Sequence, residues 1–166
     1  MAVTQVSIDT HLLPILEQVS DPEIPVLTVL DLGVIREAKE KDGTVYVKLT
    51  PTYSGCPAMD VIGDDLKIAF EPLGKKVKVE LVLAPAWSTD WISESGLQKM
   101  EAYGIARPLS ESADKDVLLA GAKKVICPQC KSTDTHLVSQ FGSTACKALF
   151  KCEACLEPFD YFKCLK

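Results

Sequence analysis

The sequence predicts an α+β fold: a small sandwich of a three-stranded sheet with helices, joined to a C-terminal β-rich ribbon. Two observations predict it. Apolar residues recur at helical and then at strand periods in the order helix, strand, strand, helix, strand, helix up to about residue 104. Beyond that, four cysteines fall into two matched pairs, Cys127-Pro-Gln-Cys130 and Cys152-Glu-Ala-Cys155, with 21 residues between the pairs. Two thiols three positions apart on a tight turn can face one cation, and two such turns complete a tetrahedral sulfur site suited to Zn²⁺.

Each element has its own signal. His11 to Val19 places Leu12, Leu13, Ile15, Leu16 and Val19 on a helical stripe, with Pro14 tolerated in the first turn. Asp21-Pro22-Glu23-Ile24-Pro25 stops that helix, because a residue before proline is pushed out of the α region. Strands over 34–40 and 44–50 flank Lys41-Asp42-Gly43, whose Asp-Gly step suits a tight hairpin. Pro57 to Leu73 is the strongest helix: Ala58, Val61, Ile62, Leu66, Ala69, Phe70 and Leu73 share one face, and Gly74 follows the end. Lys76 to Leu83 alternates charged and apolar residues, which marks a half-buried strand. Ser88 or Thr89 caps a last helix running to about Tyr103.

Residues 109–120, rich in serine and acids, read as a linker between a domain over 1–108 and a ribbon module over 121–166. Short ribbon strands are expected at 125–126, 136–138, 147–151 and 159–163. So small a module needs its metal for folding.

Composition narrows the function classes. The chain has 166 residues, 47% hydrophobic and 25% charged, the balance of a globular protein. No apolar run of membrane-spanning length is present, and the first residues lack a basic-plus-apolar signal layout. A cytoplasmic setting with reduced thiols and no membrane is therefore expected, and seven cysteines, an odd number, fit metal ligation better than full disulfide pairing. The charge is uneven: residues 1–120 carry 11 Lys+Arg against 19 Asp+Glu, and residues 121–166 carry 7 Lys against 4 acids. An acidic body beside a nearly neutral zinc-loaded module is poorly suited to phosphates, so nucleic acid is not expected as a partner.

The four ribbon cysteines read as a closed structural site, with iron in the same tetrathiolate as the chemical alternative. Cys146 and Cys164 lie near it in sequence and read as ribbon-core thiols, while His136, between the pairs, ranks below the four cysteines as a replacement for one sulfur. Cys56 differs. It stands in Thr50-Pro51-Thr52-Tyr53-Ser54-Gly55-Cys56-Pro57, immediately before the strongest helix, where the helix dipole and free N–H groups favour a thiolate. The two readings of Cys56 are a reactive sulfur for substrate or iron and an ordinary buried thiol at a loop–helix junction. With only His11 and His136 in the chain, and no motif linking either to Cys56, a Cys-His hydrolase is not expected. Asp21, Glu23 and Asp31 can orient the Cys56 loop or supply oxygen ligands, or else form turns and caps. Trp87 and Trp91 read as packing groups.

Asp21-Pro22-Glu23-Ile24-Pro25, Asp31-Leu32-Gly33, Leu49-Thr50-Pro51-Thr52, Gly55-Cys56-Pro57-Ala58 and the stretch 85–92 resemble the SufT-like iron–sulfur assembly-factor family over residues 10–108. With the CPxC…CxxC ribbon ending in FDYFKC, the arrangement resembles the PaaD (PaaJ) family of the phenylacetyl-CoA epoxidase system. The resemblance implies an accessory maturation role rather than an enzyme, with a structural zinc and a transient iron–sulfur cluster or iron as cargo. Its clients would be the epoxidase reductase or the di-iron oxygenase component. It matches Cys56 to the family's functional cysteine and Asp21 and Glu23 to its signature acids, with Asp31 and Thr50 in the supporting loops. One thiol cannot hold a cluster that takes four protein ligands, so a homodimer pairing two Cys56 sulfurs, or a site shared with a client, is implied. A non-catalytic scaffold using Trp87, Trp91 and the Phe159–Phe162 aromatics is the competing reading.

Overall fold

The structure, a computed structural model, describes residues 6–165. The chain divides into two compact units between Gly96 and Leu97.

The first unit carries β1 (Ser7–Ile8), a 3-10 turn and the short α1 (Leu13–Leu16), β2 (Ile35–Lys41), β3 (Thr44–Leu49), α2 (Ala58–Phe70) and β4 (Lys76–Leu81). The sheet order is β1-β2-β3-β4, with β2 and β3 antiparallel and the two outer pairings parallel. The hairpin turn has positive φ at both Asp42 (50°) and Gly43 (71°), the mirror-image turn whose twist suits a two-residue connection. Val45, Val47 and Leu49 of β3 are buried, as are Ile62, Leu66 and Phe70 of α2. α2 gives way at Glu71 to a 3-10 turn that Gly74 (φ 66°) ends.

Three expectations are corrected here. The sheet has four strands rather than three, because the two-residue β1 adds to the edge of β2. The first helix is only Leu13–Leu16, preceded by 3-10 geometry and followed by the Gln18 N–H donating to the Ile15 carbonyl. The helix expected from Ser88 is split: Ser93 Oγ accepts from the Gly96 N–H, so α3 (Glu94–Ala102) starts late.

Gly33 shows why Asp31-Leu32-Gly33 is sequence-specific. Its φ is +69°, and an added Cβ would lie 2.4 Å from the Trp91 carbonyl oxygen. Gly33→Ala is expected to destabilise the first unit by about 2 kcal/mol or more, read as a lowered Tm in thermal unfolding.

The second unit holds β5 (Ile105–Ala106), α4 (Glu111–Ala120), β6 (Thr135–Ser139), β7 (Lys147–Cys152) and β8 (Pro158–Phe162), in sheet order β5-β8-β7-β6. Its core includes Val117, Val125, Cys127, Phe150, Cys152, Phe159 and Tyr161, with the Phe150 and Tyr161 rings edge to face at 5.4 Å. Residues 125–126, expected as a strand, form none.

The segment expected as a linker, 109–120, is largely helical. Ser110 Oγ accepts from the Ala113 N–H at its start, and Gly121 (φ 67°) ends it. The sequence conceals this helix because one buried position is an acid. Asp114 is 6% exposed and accepts from the Tyr161 hydroxyl and the Cys164 N–H, while the Leu109 N–H donates to the Tyr161 oxygen. A hydrogen-bonded carboxylate thus stands in the inward stripe and hides its period. Among the described residues no helix is long and apolar enough to cross a membrane.

Candidate functional site

The metal-binding turns are two copies of one local structure. In Cys127-Pro-Gln-Cys130-Lys131 the Lys131 N–H returns to the Cys127 carbonyl (3.0 Å), and Lys131 has φ 64°. In Cys152-Glu-Ala-Cys155-Leu156 the residue after the second cysteine, Leu156, has φ 67°. Cys152 closes β7, and its N–H donates to the Glu157 carbonyl (3.0 Å) where the chain turns toward β8.

All four sulfurs lie within 4.8 Å of one another. Cys127 and Cys155 are 3.7 Å apart and Cys130 and Cys152 3.5 Å. Tetrahedral Zn–S bonds of about 2.3 Å require sulfur separations of roughly 3.8 Å, whereas a disulfide requires about 2.05 Å. The donor set therefore fits a structural Zn²⁺, which would fill the tetrahedron and cross-link the two turns. The backbone N–H groups of Cys155 and then Ala154 hold the Cys152 sulfur, whose pKa falls to about 7. Those N–H groups favour a thiolate even without a metal.

The neighbouring groups stand outside the quartet. Cys146 is buried with its sulfur 3.0 Å from Thr144 Oγ1, and the Cys164 N–H is engaged by Asp114. His136 Nδ1 faces Glu153 at 2.6 Å, and His11 pairs with Glu40 at 2.7 Å.

Cys56 occupies the loop–helix junction expected of it. Its N–H donates to the Tyr53 carbonyl (3.2 Å), and its own carbonyl accepts from Met59 (3.4 Å), which starts the first turn of α2. The residue is 8% exposed, between exposed Gly55 and Pro57. Its protonation departs from the expectation. Burial pushes the thiol above its ordinary range; the Ala58 N–H pulls it down, the Glu23 charge adds to the rise, and the Tyr53 and Thr52 side chains pull down more weakly. The helix end offers the sulfur one N–H, too little to offset desolvation. Cys56 rests as a neutral thiol. Iodoacetamide modification of Cys56, followed by mass spectrometry, should be slow at neutral pH. It should climb about tenfold per pH unit past the ordinary thiol range, where a thiolate would already have reached a plateau.

The expected acids divide. Glu23 is near enough to Cys56 for its charge to act on the sulfur. Asp21, 5% exposed, accepts from the N–H groups of Glu23 and Ile24, both at 2.8 Å, and so shapes the turn that carries Glu23. Asp31 accepts from Thr28 Oγ1 (3.1 Å) and Ser93 Oγ (3.0 Å), joining two loops. Thr50 is 1% exposed; its N–H donates to Val34, and its Oγ1 has no partner among the described residues. Thr52 and Tyr53 join the site without having been expected there. Their signal is the turn that the Tyr53–Cys56 hydrogen bond closes, which brings their side chains back to the sulfur. The aromatics offered as scaffold contacts are mostly internal: Trp87 donates to the Leu32 carbonyl (3.0 Å), Arg36 covers Trp91 at 3.8 Å, and Phe159, Tyr161 and Phe162 are buried.

Comparison with known proteins follows the same division. Residues 10–81 match the family of iron–sulfur cluster assembly proteins, and residues 111–163 match the PaaD zinc beta ribbon domain. A protein of Escherichia coli named as a component of 1,2-phenylacetyl-CoA epoxidase is 44% identical over 152 residues, covering 91% of this chain and 90% of that one. Iron–sulfur protein maturation auxiliary factors of Porphyromonas gingivalis and Bacillus subtilis are 40% and 36% identical over 88 and 81 residues. They match 51% and 47% of this chain and 83% and 78% of their own lengths.

Proposed function

Because the chain belongs to the PaaD-like family, an iron–sulfur assembly domain joined to a zinc ribbon, we propose that it is an accessory maturation factor. Its task is to deliver or insert iron–sulfur or iron centres into the phenylacetyl-CoA epoxidase system. The observation that carries this reading is Cys56 at the start of α2, a thiol held in the assembly domain with Thr52 and Tyr53 hydrogen-bonded to its sulfur and the charge of Glu23 acting on it.

The chemistry follows from the protonation state. A neutral thiol resists oxidation, since the thiolate is the form that reacts. On meeting iron, the S–H bond breaks as the S–Fe bond forms, and the proton leaves to Glu23 or to water. No electron transfer is needed. Because a cluster takes four protein ligands, the client or a second protein supplies the others, and the cargo is held only in passing. The ribbon, with its closed sulfur site, has no position for water activation and serves client recognition. The deciding experiment removes the Cys56 sulfur and measures iron and acid-labile sulfide in the reductase and di-iron components of the system. A scaffold reading gains nothing from the structure, because the aromatics it relies on are largely interior.

A further inference from the structure

β4 ends the sheet of the first unit, and among the described residues no strand lies beyond it. Its inward hydrogen bonds fall at even positions: the Lys76 N–H donates to Gly43 (3.2 Å) and the Val82 N–H to Leu49 (2.8 Å). Backbone polarity alternates along a strand, so Val77, Val79 and Leu81 turn their N–H and C=O groups outward. An open edge of this length is a template for another strand, and proteins commonly blunt such edges with charged side chains, lysine above all. β4 reads KVKVEL, so its charged face carries Glu80 beside Lys76 and Lys78 and is complementary to an antiparallel copy of itself, with apolar residues on the other face.

We propose that β4 pairs antiparallel with β4 of a second copy of this chain about a twofold axis at Val79. The pairing joins two four-stranded sheets into one of eight strands. Val79 then faces Val79, and Val77 of each copy faces Leu81 of the other. These are the outward-turned positions, and three such pairs form about six backbone hydrogen bonds. Between them Lys78 of each copy faces Glu80 of the other, at the closely spaced positions where opposite charges attract best. Charge fixes the register. A shift one way sets Lys78 against Lys78, and a shift the other way sets Glu80 against Glu80.

The apolar side fits as well. An added Cβ at Gly63 of α2 would meet Val79 Cγ1 at 4.0 Å, so the odd positions lie on the helix side. Lys78 lies over the Tyr46 ring at 5.6 Å on the other side. Beside the edge, Ile68, Gly74 and Val77 help line a groove of ≈ 620 Å³. Ile68 and Leu81 are large apolar residues left 63% and 51% exposed. The pairing brings Leu81 of one copy against Val77 of the other, at the mouth of that groove. This dimer is separate from the reading of Cys56. β3 and β4 run parallel and Cys56 follows the end of β3, so the twofold sends the two Cys56 loops to opposite ends of the joined sheet.

Sedimentation velocity on the full, zinc-loaded chain at high micromolar concentration tests it. The wild type is expected to sediment as a dimer. Lys78→Glu, a change at an exposed position, should weaken dimerisation by about tenfold or more. The charge exchange K78E/E80K should restore it, with circular dichroism confirming that all three proteins are folded. A monomeric wild type, a dimer indifferent to K78E, or a failure of the exchange to restore the dimer would each overturn the proposal.

Discussion

Cys127→Ser is expected to cost the protein its zinc and to unfold β6, β7 and β8, while the first unit stays native. The four sulfurs lie within 4.8 Å. A hydroxyl in place of one of them removes a soft anionic ligand and leaves the remaining three thiols crowded around an incomplete tetrahedron. A structural zinc contributes about 10–16 kcal/mol to folding in small modules. The second unit spans only residues 97–166, and a whole domain of ordinary size is stable by about 5–15 kcal/mol. Loss of most of the metal's contribution therefore exceeds what the Phe150–Tyr161 core can supply. Elemental analysis should show less than one zinc per chain. Backbone amide spectra should lose the dispersed signals of 135–162 and keep those of β2 and β3. Retention of one zinc with native ribbon signals would reject the site. Stripping zinc from the wild type with a chelator should reproduce the variant's spectrum.

The legibility of these features follows from how local their causes are. Cys127, Cys130, Cys152 and Cys155 could be read because the geometry of a CxxC turn is set within five residues, and the hairpin at Asp42-Gly43 because its φ values are demanded by two. α2 was visible because Ala58, Ile62, Leu66 and Phe70 recur inward at helical spacing. Val61 and Leu73, read onto the same face, nevertheless stand 46% and 52% exposed, because the inward stripe runs through Met59 and Gly63 instead. α4 was not, since Asp114 takes its meaning from Tyr161, 47 residues away. β1 is two residues long and carries no period at all. The sign of the Cys56 shift failed for the same reason. The helix start is local and legible, whereas burial and the approach of Glu23 belong to the tertiary fold. Thr52 and Tyr53 were within view, but their relevance depends on a turn that folds them back over the sulfur.

Cys56→Ala separates the two roles open to that thiol. If Cys56 only fills the junction before α2, removing its sulfur leaves a small cavity costing on the order of 1 kcal/mol, and client maturation continues. If it carries cargo, the same modest stability change comes with client iron and acid-labile sulfide falling to the level seen without the factor. Epoxidation falls with them. We expect the second result. Cys56→Ser sharpens it, because a hydroxyl nearly matches the thiol in size and keeps a hydrogen-bonding group for Ala58, yet it is a hard and reluctant ligand for iron. Packing would survive that change and cargo handling would not. Glu23→Gln should fall between, since it keeps the side chain's shape but removes the carboxylate that can accept the displaced thiol proton. Full client iron content with Cys56→Ala would remove the sulfur from the mechanism, whatever the ribbon contributes. The raised thiol pKa makes the prediction physically economical: a neutral sulfur is quiet until a metal ion displaces its proton, and iron or cluster capture is a step that does so.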